Sequence, residues 1–299
     1  MKEKINKLIN ILIIIFAALG FICSSIITKS LNESIVFIYK VIIPSLFPFM
    51  IFINFVLYSD AINMLAKLLK PISKIFRLSS YGLICVIASL LGGYPYSAIL
   101  VSTFIKNKKI SYNEGERIIK YTFFPSFSFL FLALYKIDKQ TIYIILSLYI
   151  DSFLLLFISS LKKEIKEILI INKDNKIDIF FEVMDSSIKA IFTIAFCIIF
   201  FSFISSFLNI FIKNKKIVLF LSGLLEFSKS SIIFANIPNK SLLDYILLNI
   251  IISFSSFSII FQSMFYLKEI NFKIKKILLS RFLLIIISTF ILLIIFLLK

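Results

Sequence analysis

The 299-residue sequence contains no histidine and no tryptophan, and it has only three cysteines. The absence of histidine excludes a Ser-His-Asp triad, histidine ligation of a metal and proton relay through imidazole. Cys23, Cys85 and Cys197 lie far apart in apolar runs, so the sequence offers neither a disulfide framework nor a cysteine-rich zinc site. The paired aspartates of an intramembrane protease are also missing, and we predict that the protein is not an enzyme and binds neither a metal nor a cofactor.

Charged residues are scarce as well, at 16% of the chain, although Lys and Arg outnumber Asp and Glu by 33 to 16. A nucleic-acid-binding protein with a net charge of +17 would carry far more charged residues on a solvated face, and no nucleic acid partner is expected. Hydrophobic residues make up 60% of the chain, above the value of about 45–50% for soluble domains. Because the charges separate long apolar runs, the sequence predicts an all-α polytopic membrane protein in contact with a lipid bilayer.

Several apolar runs are long enough to cross a hydrocarbon layer of about 30 Å. Residues 8–28 follow the lysines of MKEKINK and predict an uncleaved first helix with a cytoplasmic N-terminus. The later apolar segments are residues 35–58, 81–105, 121–135, 141–161, 186–212, 217–235, 242–267 and 277–298. The predicted organisation is an N-terminal transmembrane helix (1–30), a first half (31–161), a polar linker (162–181) and a second half (182–299).

Two polar stretches, residues 60–77 and 106–120, are both basic. In the first, Lys and Arg recur every three or four positions opposite Leu and Ile, which is typical of a helix lying on the cytoplasmic surface. Both stretches belong in the cytoplasm by the positive-inside rule, yet one full crossing by residues 81–105 would separate them. A re-entrant hairpin through residues 81–105 resolves this conflict. The basic sequence KNKK at residues 213–216 poses the same problem, and the orientation of the second half stays open.

Helix-breaking residues stand inside three apolar segments, as PSLFP at 44–48, as Gly92, Gly93, Tyr94 and Pro95, and as Pro125. Proline removes an N–H donor, and glycine permits backbone angles that other residues resist. An unpaired backbone group in hydrocarbon costs several kcal/mol, so breaks persist only in a protein interior or beside a polar cavity. Secondary transporters build their midplane substrate site from such breaks. The alternative is that proline and glycine only kink and pack membrane helices.

The second half contains a weaker version of this pattern. Residues 221–231 place Gly223, Glu226 and Lys229 in an apolar stretch, and residues 252–262 contain a serine cluster. A shift of about 164 residues relates the GGYP motif to this cluster, and it also relates Arg117 to Arg281. We therefore predict two repeats with broken or re-entrant helices. In that prediction Gly92–Pro95 and Ser255–Ser256 occupy equivalent breaks near the membrane midplane.

Glu226 is the strongest candidate for a substrate-binding residue, because an intramembrane carboxylate costs at least about 2.5–3.5 kcal/mol. Lys229 follows three residues later and could pair with it on one helix face. Arg281 lies one turn inside the last helix, where snorkelling to the interface is the alternative. Asp151, midway along residues 141–161, needs a partner, water or a proton. With two cations against one carboxylate, the predicted site favours an anion.

Uncharged substrate contacts are predicted as well. The candidates are Gln262, Asn54, Ser255 and Ser256. For each of these residues taken alone, the alternative is a hydrogen bond between two helices.

These motifs resemble those of the YlbJ-type sporulation integral membrane proteins, which carry the nucleoside-recognition (Gate) domain. The resemblance covers about residues 35–288. It consists of PSLFPF at 44–49, GYPYSA at 93–98, NEGER at 113–117, GLLEFSKSS at 223–231, SSFSIIFQ at 255–262 and SRFL at 280–283. The chain departs from the family at Tyr96 and Ser97, at the serine pair 255–256, and at Phe261.

The resemblance implies a transporter in the cell membrane of a spore-forming bacterium, with the outer forespore membrane as one location. YlbJ-type proteins are tied to the movement of dipicolinate toward the forespore, and the wider Gate group to nucleoside-like solutes. A small-molecule substrate is therefore expected, with dipicolinate first. A nucleoside or other small-solute transporter and a sporulation membrane protein that does not transport are the alternatives. Whether the chain forms a homo-oligomer stays open.

Overall fold

A computed structural model describes residues 24–161 and 176–298, together with Asn10 and Ile14, and its regular elements within these ranges are helices. The α-helices are α1 (Ser24–Phe37), α2 (Ile43–Tyr58), α3 (Ala61–Ile75), α4 (Ser80–Gly92), α5 (Tyr94–Lys106), α6 (Tyr112–Tyr121), α7 (Thr141–Ser160), α8 (Lys176–Ser206), α9 (Leu208–Phe211), α10 (Lys215–Leu225), α11 (Phe227–Ala235), α12 (Leu242–Phe254), α13 (Ser256–Leu267) and α14 (Ile274–Leu297). Two π-helical stretches, Ile38–Ile42 and Phe129–Tyr135, and a 3₁₀ turn, Lys268–Ile270, complete the list.

Five helical segments of the described chain are long and apolar enough to cross a membrane: Ser24–Tyr58, Thr141–Ser160, Ile179–Phe211, Leu242–Ile270 and Ile274–Leu297. Large apolar side chains stand exposed along them, such as Phe52 and Phe192, which are 68% and 69% exposed. Patches of this kind are rare on soluble proteins and suit contact with lipid tails. The prediction of an all-helical protein with several helices long and apolar enough to span a membrane is confirmed for the described residues.

The first described span joins α1 and α2 through the π-helical turn, so that the chain is helical from Ser24 to Tyr58. The predicted domain boundary at residue 30 falls inside this helix, and most of the predicted helix 8–28 lies outside the described residues. The PSLFP motif lies within this helical segment and does not end it. Pro44 follows the π-helical turn, where the regular α-helical hydrogen bonding is already interrupted, and Pro48 is accommodated within α2.

Residues 81–105 form two helices that fold back on each other. α4 ends at Gly92, Gly93 adopts φ +82°, and α5 begins at Tyr94. The rings of Tyr81, near the start of α4, and Phe104, near the end of α5, have centroids only 5.8 Å apart. We term α4–α5 the first hairpin, with Gly93 at its tip.

The first hairpin brings the two basic stretches to one end of the molecule. Arg117 Nη2 in α6 donates a hydrogen bond to the carbonyl oxygen of Arg77, just after α3, at 3.3 Å. Lys106 closes α5 at this same end, which we term the Lys106 end. On α3, Met64 and Leu68 are 77% and 71% exposed, as expected for a helix that lies on a membrane surface.

A second hairpin is formed by α10 and α11, with Glu226 in an extended conformation between them. Lys216, in the first turn of α10, forms an ion pair with Asp244 at 2.6 Å. After α11, Lys240 lies over the ring of Tyr245 at 6.0 Å, so both ends of this hairpin lie beside the start of α12. We term this the Asp244 end. The apolar segment at residues 217–235 is therefore divided at Glu226 into two helices.

Two further segments run between the two ends and are interrupted midway. α6 starts at the Lys106 end and is followed by irregular residues 122–126 and then by the π-helix, beyond which Asp138 accepts a hydrogen bond from Tyr245. α12 and α13 are interrupted at Ser255 and Ser256, which adopt φ +71° and +58°. We term residues 122–126 the first break and Ser255–Ser256 the second break. Gly92–Pro95 and Ser255–Ser256 are thus a hairpin tip and a break within a continuing span, and their predicted equivalence is not observed.

Most of the polar linker predicted at residues 162–181 lies outside the described chain. Residues 162–175 lie outside the described chain, and α8 already begins at Lys176. The predicted start of the second half at residue 182 therefore falls within α8.

Candidate functional site

The tips of both hairpins and both breaks meet at one point. The ring of Tyr94 at the first tip lies 5.2 Å from that of Phe227 at the second tip and 5.2 Å from that of Phe123 in the first break. Phe227 also contacts Phe129, at 5.1 Å between centroids. The Tyr94 hydroxyl donates to the carbonyl oxygen of Ile252, in the last turn before the second break, at 2.7 Å.

A small cavity remains between these elements, which we term the central cavity. Its volume of about 30 Å³ holds about two water molecules, so the structure is closed around it. Its walls include the predicted site residues Gly92, Gly93, Tyr94, Pro95 and Gln262, together with Ser45, Pro125, Ser126, Phe129, Phe227 and Ser228. The described residues that line it include no charged side chain.

Gln262 is the polar side chain in this wall whose bonding is incomplete. It is fully buried, and its amide nitrogen donates to the hydroxyl of Ser258 at 3.1 Å. Its Oε1 has no hydrogen-bond partner in the described part of the chain. A buried acceptor without a partner costs about 1–3 kcal/mol, and a bound solute with an N–H or O–H group would satisfy it.

Gly93 lies where the first hairpin meets the first break. Its φ of +82° and ψ of −169° belong to a region that is open essentially to glycine alone. A Cβ at this position would lie 3.0 Å from the backbone nitrogen of Ser126. Two independent constraints, one conformational and one steric, therefore require glycine at the tip.

Glu226 is only 2% exposed and caps the helix that follows it. Its two oxygens accept hydrogen bonds from the backbone N–H groups of Ser228 and Lys229, at 2.9 and 3.0 Å. The Lys229 ammonium pairs instead with Glu33 of α1, at 3.4 Å. The predicted Glu226–Lys229 pair is therefore wrong, because an N-cap carboxylate turns toward the free N–H groups of its own helix.

Lys229 and Glu226 face a different, larger cavity, between α1, α8 and the second hairpin. Its volume is about 620 Å³, and Lys29, Glu33 and Lys215 share its lining. The predicted convergence of Lys229 and Arg281 on one cavity is thus not found, since Arg281 lines neither cavity.

Arg281 is 1% exposed, so its snorkelling to an interface is excluded. Its guanidinium donates to the carbonyl oxygen of Phe123 at 3.2 Å and to the hydroxyl of Ser255 at 3.4 Å, and it also bonds to the carbonyl oxygens of Ile119 and Lys120. These carbonyls are freed where α6 ends, and a basic side chain is a suitable partner for them. Arg281 therefore ties the first break to the second.

Three further candidates, Ser256, Asn54 and Asp151, have different surroundings. Ser256 is fully buried at the start of α13, and its hydroxyl accepts a hydrogen bond from the Ile259 N–H at 3.4 Å. Asn54 donates to the hydroxyl of Ser187 at 2.9 Å and accepts a hydrogen bond from Tyr96. For Asn54, hydrogen bonding between helices is thus the observed arrangement.

Asp151 is fully buried in the middle of α7. Its Oδ1 accepts a hydrogen bond from the Ser152 hydroxyl at 3.0 Å. Its Oδ2 finds no partner among the residues that the structure describes.

Sequence reasoning missed Ser126, Ser228 and the two phenylalanines of the cavity wall. Ser126 directly follows Pro125, and Ser228 lies two residues from Glu226. Pro125 and Glu226 attracted attention as a helix breaker and an intramembrane carboxylate, whereas a serine alone gives no sign of a functional role. Nothing in the sequence distinguishes Phe129 and Phe227 from the rest of the chain's 36 phenylalanines.

Comparisons with models of known protein families, with curated proteins and with solved structures find no match for this chain. The resemblance to the YlbJ-type proteins therefore stays a prediction.

Proposed function

We propose that this protein is an integral membrane transporter for a small organic solute, which binds in the central cavity. The observation that carries this proposal is the meeting of two hairpin tips and two interrupted spans around buried polar groups. Interrupted backbone is tolerated at membrane depth only in a protein interior or beside a cavity. Secondary transporters place their substrate site at such interruptions.

We further propose that the two halves are repeats, related by a shift of about 130 residues rather than 164. Ser111 caps α6 with Glu114 three residues on, and Ser241 caps α12 with Asp244 three residues on. In each half a hairpin is followed by an interrupted span and then by a long helix, α7 or α14. The two hairpin tips, Gly93 and Glu226, are 133 residues apart and so correspond to within three residues of this register, and the first break corresponds to the second.

The two hairpins start from opposite ends of the molecule, which is the arrangement of an inverted repeat. The first starts from the Lys106 end and the second from the Asp244 end. Lys67, Lys74 and Arg77 add positive charge at the Lys106 end, which favours a cytoplasmic location for it. Both hairpins are then re-entrant, and alternating access follows from the rocking of one repeat against the other.

Dipicolinate is our first candidate substrate, in the cell membrane or outer forespore membrane of a sporulating bacterium. The resemblance supports it, and the N-terminus of α13 contributes positive partial charge beside the cavity. A neutral nucleoside-like solute is the second candidate. It is favoured by the absence of a charged side chain from the described lining and by the unpartnered Oε1 of Gln262.

Uptake of labelled dipicolinate and of labelled nucleosides into proteoliposomes, measured side by side, tests the function. We expect the protein to transport one of them, and we expect Gln262→Leu to lower uptake at least about tenfold, equivalent to 1.4 kcal/mol. Gln140→Leu, at an exposed glutamine, is the matched control and should transport normally. Absence of uptake of both solutes would contradict the transport proposal and favour a non-transporting sporulation protein. Normal uptake by Gln262→Leu would show that the site lies elsewhere.

A further inference from the structure

Buried polar groups lack partners where α7 packs against α14. Asp151 Oδ2 on α7 and Arg281 Nε on α14 have none among the described residues, and neither does the Tyr149 hydroxyl, two residues before Asp151. Asp151 lies about ten residues from either end of α7, or about 15 Å at 1.5 Å per residue. That places it near the middle of a span, close to the level of the two breaks.

Asp151 and Arg281 interact electrostatically but form no direct ion pair in the described structure. Arg281 instead directs its terminal nitrogens at the carbonyl oxygens of α6 and at Ser255. An ionised carboxylate in the protein interior is costly without a paired cation. A neutral, protonated Asp151 fits this arrangement better than an ionised one.

α7 packs against α6, α12, α14 and the π-helix Phe129–Tyr135. Among the charged side chains of these described elements, Arg281 is the one that interacts electrostatically with Asp151. α14 brings Arg281, and α12 brings the neutral Asn249, which accepts a hydrogen bond from Ser147 of α7 at 3.4 Å. From the first break comes Phe124, whose ring contacts that of Tyr149 at 5.3 Å. Among these described neighbours, Arg281 is the cation that can pair with an ionised Asp151.

We propose that Asp151 is a proton-binding site whose ionisation draws Arg281 away from the two breaks. One proton leaves the carboxyl group for the aqueous side that is open at that moment, and the carboxylate then pairs with the guanidinium. The carbonyl oxygens of Lys120 and Phe123 lose their shared donor in the same step. Because Arg281 ties the first break to the second, this step changes the walls of the central cavity. The proposal rests on the proposed transport function, to which it adds proton coupling.

Infrared spectroscopy tests the protonation of Asp151 without a substrate. In the reconstituted protein we expect the carbonyl stretch of a protonated carboxylic acid at neutral pH, decreasing as the pH is raised. Asp151→Asn should abolish this band. Asp185→Asn, which removes an exposed carboxylate paired with Lys189, should keep it. A spectrum in which Asp151→Asn removes no band, or removes one that does not change with pH, would overturn the proposal.

Transport under a proton gradient tests the coupling. With dipicolinate and a nucleoside as probes, one pH unit across the membrane can drive about a tenfold accumulation at one proton per solute. We expect Asp151→Asn to lose this accumulation and Asp185→Asn to retain it. Equal accumulation by Asp151→Asn and wild type would overturn the coupling. If wild type transports neither probe, the transport function fails, whereas the infrared result still decides the proton site.

Discussion

Replacement of Arg281 by glutamine tests whether this side chain holds the two breaks together. Arg281 donates to the carbonyl oxygens of Lys120 and Phe123, with weaker contacts to Ile119 and Ser255. Hydrogen bonds from a charged donor contribute about 1.5–3 kcal/mol each. Glutamine can replace one of the two stronger bonds, and its neutral amide avoids part of the desolvation cost of the guanidinium. We expect the free energy of unfolding to fall by about 2–4 kcal/mol.

The measurement is the fraction of protein that stays folded in detergent after heating, read by size-exclusion chromatography. For a chain of this size, 1 kcal/mol corresponds to about 2 °C, so Arg281→Gln should lower the midpoint by roughly 4–8 °C. Arg117→Gln is the matched control. Arg117 makes one hydrogen bond, to Arg77, and two of its nitrogens lack partners in the described chain, so the expected loss is about 1 kcal/mol. Equal midpoints for Arg281→Gln and wild type would refute the clamp.

The remaining predictions concern the first hairpin tip, the second break, and Glu226 and Lys229 of the second hairpin. Gly93→Ala should destabilise the protein by at least about 1–3 kcal/mol because of its backbone conformation. Ser255→Gly, also at positive φ, relieves its backbone but loses the hydroxyl that accepts a hydrogen bond from Arg281, so it should lower the melting midpoint less than Gly93→Ala does. Glu226→Ala removes both cap bonds and should cost about 0.5–2 kcal/mol. Glu226 lines the larger cavity and not the central one, so Glu226→Gln, which retains an acceptor, should reach the membrane at the normal level and keep its uptake, and a loss of uptake would return Glu226 to the substrate site. Lys229→Gln should leave dipicolinate uptake unchanged, since Lys229 pairs with Glu33 outside the central cavity, and a large loss would return Lys229 to the substrate site.

The sequence predicted the features that depend on long apolar runs and on charge. The spans are recognisable because hydrocarbon requires about 20 consecutive apolar residues. The first hairpin was predicted because two basic stretches required the same side of the membrane and Gly92 and Gly93 stood between them. Both observations are local, and no tertiary contact was needed to make them.

The second hairpin could not be predicted in this way, because its tip is Glu226 rather than glycine or proline. A lone carboxylate in an apolar run indicates function, but it gives no sign that the chain reverses there. PSLFP gave the opposite error, since the helix continues through both prolines after a π-helical turn that ends at Ile42. The roles of Glu226 and Arg281 depend on free N–H and carbonyl groups, which exist only once helix ends are placed in three dimensions.

The repeat register that we propose could not be found from the sequence alone. Ile- and Phe-rich segments align with one another at many shifts, and the shift of 164 residues matched a hairpin tip to a break. The helix caps at Ser111 and Ser241 support the shift of about 130 residues. Capping serines are informative only when the starts of their helices are known.

Labelling of a single cysteine in the central cavity tests the central claim most directly. Ser228→Cys, in a background where Cys23, Cys85 and Cys197 are replaced by serine, would be exposed to a membrane-impermeant maleimide from each side in turn. We predict that it reacts from at least one side and that dipicolinate or a nucleoside slows the reaction, whereas Gln140→Cys, at an exposed polar residue outside the central cavity, reacts without such protection. A Ser228→Cys protein that is unreactive from both sides, or whose labelling neither solute changes, would contradict a central transport site.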